Sequence, residues 1–271
     1  MMSEQQEYRR LLLTGAAGGL GKVLRRGLMP FTRVLRVSDR LDLGPANPRE
    51  EPVLCDLADK EGVHRLVDGV DAVVHFGGIS LETHFEPILQ SNIVGVFNVY
   101  EAVRKHGVKR VVFASSNHVT GFYKQSEKID VDAPMRPDGL YGVSKCFGEN
   151  LSRFYFDRHG IETVCIRIGS SFPLVKDRRM LATYLSYDDL VELVRCALFA
   201  PRTGHTVIFG ASDNSLKWWD NAKAAHLGFR PKDAADKQRE RVEAASPPLD
   251  PADPAGIYQG GAFVSAGPFD D

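Results

Sequence analysis

Short apolar runs alternate along this chain with longer segments in which apolar residues recur every three or four positions. The runs that predict strands are RLLLT (10–14), VLRVSD (34–39), PVLCD (52–56), AVVHFG (72–77), RVVFASS (110–116), TVCIRIG (163–169) and TVIFGAS (206–212). The segments with helical spacing are 19–28, 59–67, 86–105, 141–158 and 186–200. Near-continuous apolar strands separated by helices are typical of a parallel sheet covered on both faces. The pattern therefore predicts an α/β fold with a Rossmann-type, doubly wound parallel sheet.

The composition excludes several classes of protein. Hydrophobic residues make up 43% and charged residues 25% of the chain, and the formal net charge of −1 gives no sign of nucleic-acid binding. No apolar run approaches the roughly 18 residues of a membrane span, and RRLLLTGAAGGLG is too short for a signal peptide. The cysteines lack any metal-ligand or disulfide spacing; they are Cys55, Cys146, Cys165 and Cys196. We therefore expect no metal, no membrane contact and a cytoplasmic protein with reduced thiols.

A glycine-rich turn follows the first predicted strand and opens the first helix. In LLLTGAAGGLG the spacing is G-x-x-G-x-x-G, and the residues that would face a cofactor are Gly15, Gly18, Gly19, Leu20 and Gly21. Glycines there permit a tight turn, and the unpaired N–H groups of the helix N-terminus can bind a pyrophosphate. This strand–turn–helix context predicts dinucleotide binding.

An acidic residue at the end of the second strand indicates which dinucleotide is bound. The Asp39 carboxylate can accept hydrogen bonds from a ribose diol and would repel a 2′-phosphate, which favours NAD. Arg40 leaves the alternative open, because an arginine beside that position can accommodate NADP. Asp56 and Leu57 can hold the adenine, although an aspartate there could equally cap the next helix.

Small and polar residues end the next two strands. Gly77 and Gly78 would let the ribose or nicotinamide half approach closely, whereas His75 is expected to be a core residue. Further along, polar residues stand where open α/β sheets place their ligands; they are Ser115, Ser116, Asn117 and His118.

The segment YGVSK places Tyr141 and Lys145 one helical turn apart. A neighbouring cation favours the phenolate, so we expect Lys145 to lower the pKa of Tyr141 and make it an acid/base. A surface pair on an ordinary helix is the alternative. With Ser116 the pair forms a Ser–Tyr–Lys acid/base set, which favours catalysis.

The glycine turn, CDL (55–57), HFGG (75–78), SS (115–116) and YGVSK occur in an order and spacing that resemble the extended short-chain dehydrogenase/reductase family. The resemblance implies that Tyr141 is the acid/base, that Lys145 lowers its pKa and holds the nicotinamide ribose, and that Ser116 orients the substrate. It also implies NAD as the cofactor. Asn92 matches an asparagine that some members use structurally or in a proton relay.

The resemblance narrows to the bacterial uronate dehydrogenases within that family. FASSNH, RPDGLYGVSKCFGENL, RIGS and QGG resemble that family across nearly the whole chain, and SSFPLVKDRRM (170–180) departs from it. The resemblance implies NAD-dependent oxidation of D-galacturonate or D-glucuronate at C1 to an aldarolactone. The substrate would contact Ser80, Ser116, Asn117, His118, Ser170 and Arg179.

Because a uronate is an anion, its pocket needs a cation, and an arginine can hold a carboxylate with two hydrogen bonds. Arg178 competes with Arg179 for this role. We expect residues 1–170 to form the NAD-binding core with the triad, and residues 171–271 a small, integrated substrate-binding part with an irregular tail at 246–268. We also expect a homo-oligomer.

Two alternatives remain. A nucleotide-sugar epimerase or dehydratase uses the same triad, but only about 100 residues follow position 170 to bind a nucleotide. A dinucleotide-binding sensor without catalysis would not need Ser116, Tyr141 and Lys145.

Overall fold

A seven-stranded parallel sheet forms the centre of the computed structural model, which describes residues 7–248, 250–267 and 269. The strands are β1 (Tyr8–Thr14), β2 (Thr32–Asp39), β3 (Glu50–Leu54), β4 (Ala72–His75), β5 (Arg110–Ser116), β6 (Ile129–Asp130), β7 (Glu162–Ile168), β8 (His205–Gly210) and β9 (Trp219–Asp220). The large sheet has the order β3-β2-β1-β4-β5-β7-β8, and β6 pairs with β9 in a small second sheet. This confirms the predicted Rossmann-type class.

Helices cover both faces of the sheet. They are α1 (Gly19–Gly27), α2 (Lys60–Val67), α3 (Phe85–Ile88), α4 (Gly95–Lys105), α5 (Leu140–His159), α6 (Met180–Thr183), α7 (Tyr187–Phe199), α8 (Arg239–Ala245) and α9 (Pro254–Ile257). A π-helical turn spans Leu89–Val94, and short 3-10 segments span Met29–Phe31, Asn117–Thr120, Ala222–Leu227, Ala235–Gln238 and Gly261–Ser265. Among the helices of the described residues, none is long and apolar enough to cross a membrane.

The leucine run of β1 shows why the strands are apolar on both sides. Leu11 and Leu13 pack into one core cluster, which includes residues of α1 and α7, while Leu12 packs into the opposite cluster with α2 and α4. All three side chains are fully buried. Side chains alternate between the faces of a strand, so a strand covered on both faces must be apolar throughout.

The strand order reverses between β1 and β4, which fixes the position of the ligand crevice. In an open parallel sheet, ligands bind beyond the carboxyl ends of the strands at such a switch point. The glycine turn after β1, the loop after β4 and the polar end of β5 all lie at this edge.

Helix α5 is held against the sheet by a buried ion pair. Arg167 on β7 donates to both carboxylate oxygens of Glu149, at 2.9 Å each, and both side chains are 2% exposed. Ser115 donates to the same carboxylate, and a Cβ added to Gly148 would lie 2.4 Å from the Phe113 ring. The helix therefore runs very close to β5, with its ionic groups satisfied inside the core.

Several predicted elements differ in extent. Strand β3 begins at Glu50 rather than Pro52 because carboxylates of the edge strand reach arginines: Glu50 pairs with Arg25 and Glu51 with Arg36. The continuous helix expected over 86–105 is divided by the π-helical turn. The tail expected to be irregular at 246–268 contains α9 and a 3-10 segment, and its residues 249 and 268 lie outside the described ones.

Candidate active site

Tyr141 and Lys145 lie in the first turns of α5, facing the end of β5. Both residues are 6% exposed, and Lys145 Nζ lies 5.5 Å from the centroid of the Tyr141 ring. Lys145 Nζ donates a 2.8 Å hydrogen bond to the carbonyl of Ala114. The helical spacing therefore brings the two side chains together as the sequence predicts.

Burial has the largest effect on the acid/base state of this pair. Burial raises the pKa of Tyr141 to about 12, and the Ser116 hydroxyl acts in the opposite direction. Burial also lowers the pKa of Lys145 to about 8. Lys145 is not among the groups that shift the pKa of Tyr141 here, and desolvation opposes the charged form of both groups. That Lys145 lowers the pKa of Tyr141 therefore stays a prediction.

The side chains of two adjacent serines at the end of β5 lie on opposite sides of the strand. Ser115 is directed into the core, where it donates to Glu149. Ser116 is 4% exposed, accepts a hydrogen bond from the backbone N–H of His118 and lies close enough to the Tyr141 hydroxyl to lower its pKa. The alternation of a strand thus assigns Ser116 to the site and Ser115 to the scaffold.

His118 is enclosed by aromatic rings and a carboxylate. Its ring stacks on Phe263 of the C-terminal segment with centroids 3.9 Å apart, and the Tyr141 ring approaches edge-on at 5.8 Å. Its Nδ1 lies 2.7 Å from Oδ2 of Asp138. Burial lowers the pKa of His118, although Asp138 acts in the opposite direction. The ring is therefore neutral near pH 7.

Arg179 is a second cation at this edge of the sheet, besides Lys145. Its Nε donates to the carbonyl of Gln259 at 2.7 Å, and its Nη1 donates to the hydroxyl of Ser170 at 3.1 Å. With the Asn117 amide oriented to satisfy both its atoms, the amide oxygen accepts from Arg179 Nη2 at 2.8 Å and the nitrogen donates to the Ile168 carbonyl. All these partners are neutral, and none of the ion pairs among the described residues includes Arg179.

Arg178 points away from the site. Its guanidinium donates to the backbone carbonyls of Ser246 and Glu243, in and just after α8. Ser170 and Asn117, predicted as direct substrate contacts, are found to hold Arg179. Ser80 is exposed and forms no hydrogen bond with any residue that the structure describes, so the geometry does not join it to the others.

The glycine turn fits a pyrophosphate. Gly15 has a positive φ of 73°, and a Cβ there would lie 2.4 Å from the Phe76 carbonyl oxygen; a Cβ on Gly21 would lie 2.0 Å from the Gly15 oxygen. A Cβ on Gly19 would meet nothing within 4 Å, so this position opens outward. Gly18 caps α1 without a side-chain hydrogen bond. The N–H groups of the first turn are therefore available to phosphate oxygens.

Asp39 supports this turn directly. Its Oδ2 accepts from the N–H of Ala17 at 3.0 Å, and its Oδ1 accepts from the N–H of Leu41 at 3.1 Å. Each carboxylate oxygen can accept more than one hydrogen bond, so both can still receive a ribose hydroxyl. Arg40 is exposed.

The proposed adenine and nicotinamide segments lie beside the turn. Asp56 is exposed and accepts from the N–H of Ala58, which is a local cap, while Leu57 packs against Gly77, where a Cβ would lie 2.8 Å from Leu57 Cδ1. Gly78 has a φ of 132°. His75 is fully buried, as expected of a core residue.

Asn92 has a structural position in the π-helical turn. It accepts from the N–H of Ile79, donates to the carbonyl of the same residue and donates to the hydroxyl of Ser144 on α5. It therefore links the loop after β4 to the helix that carries Tyr141.

Sequence reasoning missed four residues of the site. Glu82 accepts hydrogen bonds from the N–H groups of Leu140 and Tyr141, so it caps α5 from a distant loop. Asp138 stands behind His118, and Gln259 and Phe263 come from the C-terminal segment. The motifs RPDGL and QGG contain two of them, but their contacts join residues far apart in the chain, which no local spacing reveals.

Comparisons with known proteins identify the family of this chain. The model of the NAD dependent epimerase/dehydratase family matches residues 11–173. Uronate dehydrogenase of Pseudomonas putida is 62% identical over 263 residues, covering 97% of this chain and 98% of the relative. Among solved structures, a mutant of uronate dehydrogenase from Agrobacterium tumefaciens complexed with NAD has a TM-score of 0.94 and 52% identity, covering 96% of this chain and 98% of that one. Glucuronic acid dehydrogenase from Chromohalobacter salexigens has the same TM-score of 0.94, identity of 52% and coverages of 96% and 98%. The chain therefore belongs to the NAD dependent epimerase/dehydratase family and, within it, to the uronate dehydrogenases.

Proposed function

We propose that this protein oxidises a hexuronate, D-galacturonate or D-glucuronate, at C1 and releases the aldarolactone. It is an NAD-dependent oxidoreductase, as its relatives are. The observation that carries the substrate class is Arg179, a cation without a carboxylate partner in the described part of the chain, held beside the Ser–Tyr–Lys set. Partly buried charges are usually paired, and the carboxylates of Asp177 and Asp138 act on Arg179 only from beyond ion-pair distance. The site therefore has the charge to accept an anion from outside the protein.

The hydrogen-bond pattern of Arg179 fits a carboxylate. A guanidinium has five N–H donors, one on Nε and two on each terminal nitrogen. The protein uses one donor on each nitrogen, with Gln259, Ser170 and Asn117 as acceptors. One N–H therefore remains on Nη1 and one on Nη2, which together can bind both oxygens of a C6 carboxylate.

The reaction divides between the triad and the cofactor. In a cyclic uronate C1 carries a hydroxyl, a hydrogen and the ring oxygen, so loss of the hydroxyl proton and of the C1 hydride gives the lactone. Tyr141 takes the hydroxyl proton, and Ser116 hydrogen-bonds both the phenol and the substrate oxygen. When bound, NAD supplies the hydride acceptor and the positive charge of its oxidised ring.

Holding the cofactor falls to the residues of the crevice. The first turn of α1 would bind the pyrophosphate and Asp39 the adenosine ribose, while Lys145 would turn from the Ala114 carbonyl to the nicotinamide ribose. A charged Lys145 beside the phenol favours the phenolate, which burial alone disfavours. Asp56, Leu57, Gly77 and Gly78 complete the proposed cofactor site.

We also propose a cytoplasmic homo-oligomer. The four cysteines are free, as in a reducing compartment. Large apolar side chains are exposed on the outer faces of α4 and α5, where a second copy could cover them; they include Phe97, Val143 and Phe154.

The test is a screen for NADH formation with galacturonate, glucuronate, galactose, glucose and a nucleotide sugar. We expect NADH from the uronates and little from the neutral sugars. Tyr141→Phe should bind NAD normally but lose at least about 10²-fold in kcat, the lower end of the usual contribution of a general base.

The alternatives give different results in the same screen. Conversion of a nucleotide sugar without net NADH would indicate an epimerase. Binding of NAD without turnover of any sugar would indicate a sensor. Either result contradicts the proposed function.

A further inference from the structure

A buried carboxylate stands behind His118, outside the Ser–Tyr–Lys set. The side chain of Asp138 has no exposed surface, and its Oδ2 lies 2.7 Å from His118 Nδ1. Its Oδ1 has no hydrogen-bond partner among the described residues. The only side-chain group that Asp138 contacts by hydrogen bond in the described part of the chain is therefore the imidazole.

Two glycines pack closely against the Asp138 carboxylate. A Cβ added to Gly121 would lie 1.9 Å from Asp138 Oδ2, and one added to Gly260 would lie 1.8 Å from the same atom. These glycines are joined by a backbone hydrogen bond, so their backbones together pack against Oδ2 of the carboxylate. On the other side of the imidazole, Phe263 and Tyr141 restrict rotation of the ring.

The contact fixes the tautomer of His118. An ionised carboxylate only accepts hydrogen bonds, so the ring nitrogen that faces it must carry the proton. In a neutral ring the proton is then on Nδ1, and Nε2 has a free lone pair. Nε2 makes no hydrogen bond with the described residues, yet it is not closed off from solvent.

We propose that Asp138 is a positioning residue that holds His118 with its proton on Nδ1, so that His118 Nε2 accepts a hydrogen bond from a ring hydroxyl of the sugar. This inference rests on the proposed function for the identity of the sugar. The site then binds two groups of the substrate, one through hydrogen-bond donors and the other through an acceptor. The N–H groups of Arg179 donate to the carboxylate, and Nε2 of His118 accepts from a hydroxyl.

The substitution Asp138→Asn should reverse the polarity of Nε2. In the wild type, Oδ1 of Asp138 is buried without a hydrogen-bond donor among the described residues. The amide oxygen of the new side chain can take the position of Oδ1, and its NH₂ group can then face Nδ1 of His118. A donor facing Nδ1 requires the proton to move to Nε2. The ring would then present a donor where the sugar hydroxyl needs an acceptor.

The test combines ring ¹⁵N NMR with kinetics on the full chain. Histidine is labelled with ¹⁵N, and the signal of His118 among the eight histidines is assigned with His118→Gln. In the wild type we expect protonated Nδ1 and unprotonated Nε2 near pH 7. In Asp138→Asn we expect the proton on Nε2, a fall in kcat/KM for the uronate of about tenfold or more, and unchanged affinity for NAD.

A matched control is available on the same loop. Asp132 is exposed and pairs with Lys223, so Asp132→Asn makes the same chemical change away from the ring and should alter neither the NMR signal nor the kinetics. Deoxy uronates that lack one ring hydroxyl add a second readout. For one of them, kcat/KM relative to the parent uronate should fall strongly with the wild type and much less with Asp138→Asn.

Two results would overturn the proposal. The first is a wild-type His118 protonated on Nε2, which needs no variant to observe. The second is an Asp138→Asn variant with the wild-type tautomer and wild-type kcat/KM. If the wild-type tautomer is as expected but no uronate is oxidised, the proposed function fails while the assignment of Asp138 to the ring stands.

Discussion

At the carboxyl edge of the sheet, the charge of the groups that bind a side chain indicates the role of that side chain. Arg179 is bound by three neutral acceptors and by no carboxylate of the described chain. Its neighbour Arg178 is used to hold the backbone around Ser246. The sequence could predict that an arginine of this pair binds an anion, but their spacing alone could not choose between them, because the choice depends on a carbonyl 80 residues further along the chain.

This difference gives a matched pair of variants. Arg179→Ala should raise KM for uronates by about ten- to a hundredfold, since a charge-assisted contact contributes roughly 1.5–3 kcal/mol. Arg178→Ala should leave KM unchanged. NAD affinity should be the same in both, and the slow rate with galactose should change little in either. If Arg179→Ala lowered kcat/KM equally for uronates and neutral sugars, Arg179 would have a structural role only.

Asp39 has two roles that a substitution can separate. The wild type should prefer NAD to NADP, because the carboxylate would face the 2′-phosphate. In Asp39→Asn the charge is lost, while the amide oxygen can still accept from the N–H of Ala17. We therefore expect the preference for NAD, measured as the ratio of kcat/KM for the two cofactors, to narrow. Equal kcat/KM for NAD and NADP in the wild type would contradict this and implicate Arg40.

At the scale of elements, the spacing of apolar residues predicted the strands and helices well where apolar packing alone determines where an element begins and ends. The spacing failed to predict the ends of an element where a specific ion pair or side-chain hydrogen bond determines them. Glutamates extend β3 because arginines neutralise them, and Asn92 occupies a π-helical turn that divides the expected helix. The C-terminal segment shows no period, yet Gln259 anchors it by bonding to Trp219 and to backbone carbonyls near β6.

Helix α5 depends on the ion pair of Glu149 with Arg167. Glu149→Leu should lower the free energy of unfolding by about 3–5 kcal/mol, because it leaves Arg167 buried without an anion. Adding Arg167→Met should recover most of this loss, since the second change removes the unpaired charge. Urea unfolding of both variants measures the difference. A double variant less stable than Glu149→Leu alone would contradict this view of the pair.

The whole molecule combines a rigid apolar interior with titratable groups that the fold keeps neutral. His75 lies at the end of β4, bonded to Thr14 and stacked on Phe113. Burial, with a smaller effect from Lys145, lowers its pKa to about 3. Since an unfolded histidine titrates near 6.5, this group contributes its full stability above about pH 6.5 and progressively loses it as the pH falls toward 3.

The free energy of unfolding should therefore decrease between pH 6.5 and 5. The share of His75 alone is about 1.6 kcal/mol over this interval, because the slope rises to roughly 1.4 kcal/mol per pH unit only below the unfolded pKa. His75→Asn should be less stable at pH 7 but show a flatter pH dependence by that amount. The comparison isolates His75 from His118 and His205, whose pKa values burial also lowers. Parallel slopes for the two proteins would contradict the assignment.

The central claim is that the hydride leaves from C1 of a free uronate. It is tested most directly with glucuronate or galacturonate deuterated at C1, followed by mass spectrometry of cofactor and sugar product. We predict one deuterium in the reduced cofactor, none in the lactone, and equal amounts of the two products. Deuterium retained in the sugar, or an unlabelled reduced cofactor, would show that another carbon is oxidised and would contradict the account.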